Sequence, residues 1–179
     1  MPTIYNYPYY PEHIKAIGGF EIDNKYVENK LMVPEAVPEK YAKIAAMIQK
    51  RYNLHVVKLT KKMVFDEGYG QKIFDLINAT YSHLYGYSQL TQKQINQYIK
   101  MYLGMLDLEF VTLIEDWSGD ERKLVGAGIS MPSLSIALQK CHRGRMLPFG
   151  WWHLLRAIKF HKTKIVDLLL VGILPEYRA

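Results

Sequence analysis

The residue types that could do chemistry fall into a few groups. Between positions 122 and 166 the chain holds nine Lys/Arg (Arg122, Lys123, Lys140, Arg143, Arg145, Arg156, Lys159, Lys162 and Lys164) and no Asp or Glu. An excess of one sign draws the opposite one, so this stretch predicts an anionic partner on its side of the fold. Three readings stay open for it: a solvated face over a core helix, phosphate contacts to a small molecule, or a membrane-surface or nucleic-acid role. No nucleic-acid motif accompanies it. Cys141 is flanked by His142 and Arg143, whose charge would favour a thiolate, but no orienting Asn or Asp stands beside it. His13, His55, His83, His142, His153 and His161 show no His-x-x-x-His spacing and no companion carboxylate, so no metal site is expected. Gly126-x-Gly128 falls inside a predicted strand and not at a strand-to-helix turn, so it marks a bulge or a close approach, not a dinucleotide fingerprint. Glu176, in Pro175-Glu176-Tyr177-Arg178, follows a run of purely Leu, Val, Ile and Gly from 168 to 174.

That run organises the elements that must position the rest. A short unbroken apolar stretch ending at proline reads as a strand buried on both faces, the central kind in α/β sheets, whose carboxyl end is where ligands bind. The sequence stops there, and a domain seldom ends on a buried strand, so it reads as a piece of a longer protein. Length and composition allow one ordinary domain or one domain plus part of another: 179 residues, 49% apolar, 22% charged. One cysteine excludes an internal disulfide, and no apolar run reaches the ~18 residues of a membrane span. With no signal peptide at the front, a cytoplasmic protein is expected.

Three segments are expected. Residues 1–33 hold a short helix at 11–17, ended by Gly18-Gly19, and a strand at 26–33. Residues 34–53 hold a Pro-punctuated linker and an amphipathic helix at 39–51, with Tyr41, Ile44, Ala45 and Ile48 on one face. Residues 54–179 begin with a strand at 55–59. A helical stripe (Ile73, Phe74, Ile77, Tyr81, Leu84) follows, and then a capping box, Thr91 with Gln94. The helix behind the box carries Ile95, Tyr98, Ile99, Tyr102 and Leu106 on one side. A hairpin pairs 109–116 with 123–131 through Ser118-Gly119-Asp120. Helices at 133–140 and 148–161 precede the terminal strand. Trp151, Trp152, Leu154, Leu155 and Ile158 surround the second of these, which favours burial over an interfacial position. From 54 the order is β-α-α-β-β-α-α-β, an α/β chain of the α+β type with a mixed sheet.

This order, with a strand running into Leu174-Pro175-Glu176-Tyr177-Arg178, resembles the GNAT superfamily of coenzyme A-dependent N-acetyltransferases. Tyr5-Asn6-Tyr7-Pro8-Tyr9-Tyr10-Pro11 with Ile17-Gly18-Gly19-Phe20 looks like the end of one GNAT-like domain. Leu147-Pro148-Phe149-Gly150 and the run to Arg178 look like the front of a second. Bacterial proteins with two GNAT-like halves have this arrangement, although one glycine is usual where Gly18-Gly19 stands. The resemblance implies acetyl-CoA (or another acyl-CoA) as donor and an amine, on a small molecule or peptide, as acceptor. Backbone groups of Gly172, Ile173 and Leu174 would line the acetyl-pantetheine arm. Arg178 and Ala179 would open the loop whose amides hold the pyrophosphate. Glu176 is the carboxylate nearest the thioester and a candidate base. The glycines of that loop and the tyrosine that protonates the leaving thiolate would lie past Ala179, which would leave this chain inactive by itself. The competing expectation is a non-catalytic GNAT-like module that recognises an anionic ligand, a membrane surface or a partner chain. An unpaired strand edge would also promote self-association.

Overall fold

Strand and helix alternate where the apolar period changes from two to about 3.6 residues. The computed structural model describes residues 6–103, 107–141 and 145–178. Its four strands are β1 (Leu54–Lys58), β2 (Val111–Asp116), β3 (Lys123–Pro132) and β4 (Val166–Ile173). They lie side by side in chain order, each antiparallel to the next. The described residues hold seven α-helices: α1 (Tyr9–Ile17), α2 (Glu39–Arg51), α3 (Lys61–Phe65), α4 (Tyr69–Tyr81), α5 (Gln92–Tyr98), α6 (Ser135–Lys140) and α7 (Gly150–Ile158). The class is α+β, as expected; the sheet, read as mixed, is antiparallel throughout the described residues, because each strand returns beside the one before it.

The core lies between α4, α5 and one face of β2 and β3. Ile73, Phe74, Leu76 and Ile77 of α4 meet Val111 and Leu113 of β2 and Ala127 and Ile129 of β3. Thr91 caps α5 by accepting from the Gln94 amide, while the Gln94 side chain accepts from the Thr91 amide at 2.9 Å, the capping box read from sequence. After Tyr98 the helix widens into a π turn, Ile99–Leu103. The extra residue shifts the phase, so Leu103 is buried and Tyr102, expected on the apolar face, is exposed. Leu106 lies outside the described residues.

Four further expectations are corrected. The segment 26–33 forms no strand: it is exposed throughout and meets no neighbouring edge. A short helix, α3, stands where none was read; Thr60 caps it by accepting from the Met63 amide at 3.2 Å. The run read as a central strand is β4, at the margin of the described sheet. One flank pairs with β3, α4 crosses near its end, and Leu168 and Val171 are exposed. The tryptophans of α7 are exposed too, Trp151 by 46% and Trp152 by 43%. That helix buries the small residues Gly150 and Ala157, one face at i and i+7, and turns its rings outward.

Candidate functional site

Antiparallel pairing fixes which backbone groups of β4 face away from the sheet. Leu174 donates its amide to the Val125 carbonyl at 2.9 Å, so Gly172, two residues earlier, also faces β3, opposite Ala127. The N–H and C=O groups of Val171 and Ile173 then turn outward. Side chains occupy part of that edge. The Tyr81 hydroxyl accepts from the Val171 amide and donates to the Val171 carbonyl, each at 3.1 Å, in the manner of a neighbouring strand. Arg178 donates through Nε to the Ile173 carbonyl at 2.8 Å and through a terminal nitrogen to the Thr80 carbonyl at 3.4 Å. Its guanidinium thereby meets a carbonyl in the last turn of α4, where a cation suits the helix dipole.

Gly172 is where α4 and β4 come closest. A Cβ placed there would lie 2.7 Å from Thr80 Oγ1, so only glycine fits without a shift. The structure therefore brings Gly172, Ile173 and Arg178 to one place, together with Thr80 and Tyr81, which sequence reasoning did not single out for a site. Leu174 is half-buried beside them. Ala179 lies outside the described residues.

Glu176 stands slightly apart, on the short turn Pro175–Tyr177. Its own backbone amide and the Lys123 ammonium, 3.0 Å away, hold its carboxyl below the usual range, which weakens it as a proton acceptor. The same turn is pinned by Tyr177, whose hydroxyl donates to Asp116 Oδ2 at 2.5 Å. That bond, with burial, pushes the Tyr177 hydroxyl up to about 12. The Ser118 hydroxyl and the Tyr177 hydroxyl hold Asp116 below the ordinary carboxylate value.

Beneath this end of the sheet lies a carboxylate that sequence reasoning missed. Glu115 is 1% exposed and accepts from the Tyr69 hydroxyl and from Trp117 Nε1 at 2.9 Å. Burial and then the Glu115 contact push the Tyr69 hydroxyl up to about 12. The signal was in the strand: Val111, Leu113 and Glu115 share one phase of the alternation, so the same pattern that buries the first two buries the third. Trp117 is covered by the Arg122 guanidinium at 4.2 Å and stacked on His55 at 3.9 Å.

The basic stretch gathers at a second place. Between α6 and α7 a cavity of about 460 Å³ is lined by Lys140, His153, Arg156, His161, Lys162 and Lys164, with apolar walls from Ile136, Ala137 and Ala157. No acid lines it. His142 and Arg143 lie outside the described residues. Cys141 is buried at this elbow and donates through Sγ to the carbonyls of Ala137 and Gly150, each at 3.2 Å, so its surroundings are those of a packed thiol. His161 has a companion carboxylate that sequence spacing did not reveal: Nε2 lies 2.9 Å from Asp107 Oδ2, and Glu109 is close enough to complete a three-donor group. The Glu109 amide and then His161 hold Asp107 below its ordinary value.

No family model matches the chain. It is 23% identical to a bacterial ceramide synthase of Caulobacter vibrioides over 108 residues, 60% of this chain. The match spans about a quarter (27%) of that protein's length. No helix among the described residues is long and apolar enough to cross a membrane.

Proposed function

We propose that this chain is part of an acyltransferase that moves an acyl group from a coenzyme A thioester to an amine, with the GNAT superfamily as its home. The observation that carries the reading is the similarity to a ceramide synthase, since a ceramide holds its acyl chain in an amide. An acyl-CoA supplies an activated carbonyl; C–N bond formation expels the thiolate, and the proton lost from the amine ends on that sulfur or on solvent.

The outward N–H and C=O groups of Val171 and Ile173 suit the amides of a pantetheine arm, which pair with a strand edge as another strand does. Tyr81 and Arg178, which hold part of that edge, withdraw as the donor binds. Gly172 keeps α4 close enough for Tyr81 to reach it. Glu176, paired with Lys123, orients the turn; it serves as base only after that pair opens.

The test uses the full-length protein with acyl-CoA of short and long chains and a long-chain amine, reading thiol release and the amide product by mass spectrometry. Amine-dependent thiol release is expected. Ile173→Pro removes one outward N–H on a flank where proline costs no ladder bond, and should weaken the donor at least roughly tenfold in KM. Folded protein that releases no thiol with any pair, and binds no acyl-CoA by calorimetry, would overturn the reading.

A further inference from the structure

The α6–α7 unit has two features that acyl transfer does not use. One is the basic cavity. The other is an apolar collar beside it: Met146, Leu147, Phe149, Trp151, Trp152 and Phe160 are all large and all exposed, Leu147 by 77%. The rings form a preassembled surface. Trp151 and Trp152 meet edge-on with centroids 5.7 Å apart, Trp152 leans on Phe160 at 6.2 Å, and Trp151 Nε1 is tied to the Pro148 carbonyl at 3.0 Å. Arg156, four residues after Trp152 on α7, and Lys159, just past the end of the helix, are exposed as well.

We infer that α7 and the segment before it dock on an anionic lipid bilayer, with the collar entering the headgroup region and the basic cavity receiving a lipid phosphate. Charge and apolarity together select this occupant. A bare phosphate or a nucleic-acid backbone would satisfy the cations but leave Met146, Leu147 and Phe149 in water. A second copy of the chain, meeting face to face about a two-fold axis, would bring a second set of the same cations, Arg156, Lys159 and Lys162, to the face and no acid to answer them. An anionic membrane surface answers both needs: tryptophans settle at the headgroup level, and lysines and arginines meet the surface charge.

The inference does not rest on acyl transfer, and its test needs no acyl donor. The full-length protein is sedimented with vesicles of equal parts phosphatidylcholine and phosphatidylglycerol, and with vesicles of phosphatidylcholine alone, while tryptophan emission is recorded. Binding to the anionic vesicles alone, a blue-shifted emission on binding, and release by salt are expected. The triple variant Arg156→Gln, Lys159→Gln, Lys162→Gln should weaken partitioning on the order of a hundredfold, from roughly fivefold per charge. All three side chains lie at the surface, and an unchanged melting temperature shows that the variant folds. Trp152→Ser, checked in the same way, should lose part of the blue shift, with Trp151 supplying the rest. Equal binding to both vesicle types, or binding untouched by the triple variant, overturns the inference. So does an RNA homopolymer that binds the protein and displaces it from vesicles, or a dimer that buries the tryptophans before lipid is added.

Discussion

Helices α2 and α4 are both thirteen residues long and both amphipathic, yet α4 buries seven residues and α2 buries none. The difference lies in what surrounds the stripe. Helix α4 carries two charged side chains, Lys72 and Asp75, and lies across β3 and β4. Helix α2 carries Glu39, Lys40, Lys43, Lys50 and Arg51 around Tyr41 and Ile44, and reaches the sheet at its margin, near β1. A stripe makes a helix able to pack; a facing surface of matching area makes it pack.

Substitutions sharpen the contrast, the largest effect first. Ile73→Ala, at a fully buried site, should cost about 3 kcal/mol in urea unfolding, whereas Ile44→Ala in α2 should stay within about 0.5 kcal/mol. Similar losses from the two would mean that α2 is packed after all. Gly172→Ala drives a methyl group toward Thr80 and should cost roughly 1–3 kcal/mol; Thr80→Ala in the same chain should restore much of it, the mark of direct contact.

Tyr69→Phe removes a donor from the buried Glu115 and should cost about 2 kcal/mol near neutral pH. Because the Tyr69 hydroxyl is raised from 10.0 to about 12, the wild-type advantage is full below pH 10 and disappears as pH rises through 12. Tyr177→Phe lies nearer the surface and should cost about 1 kcal/mol. Its partner Asp116 is held below its ordinary 3.8, so that advantage persists above this value and fades as acid protonates the carboxylate. Stability curves of each variant and the wild type, run side by side across pH, check both signs.

Much of the fold was legible because local rules decided it. Helix 39–51, the Thr91–Gln94 box and the hairpin around Ser118-Gly119-Asp120 each rest on neighbours in sequence. What escaped depends on what lies opposite. The apolar residues at either end of 26–33 could not say that no strand would meet them. The run 168–174 declared its composition but not which flank of the sheet it would occupy. The rings around α7 were read as buried, and the structure turns them outward because glycine and alanine take the packed face. Of the site, Gly172, Ile173 and Arg178 were named by the resemblance to the GNAT superfamily; Tyr81 and Thr80 needed the fold, and Glu115 needed only its strand phase.

Cys141 gives the molecule a built-in reporter. It is the sole thiol of the chain, 2% exposed, and it sits where α6 meets α7. The same elbow admits no side chain at Gly150, whose Cβ would lie 2.2 Å from the Arg145 carbonyl. A thiol reagent can reach the sulfur only while the elbow is open. Labelling kinetics therefore clock the opening of this one joint against the rest of the fold, with no probe to be engineered, and a lipid surface that braces α7 would slow that clock.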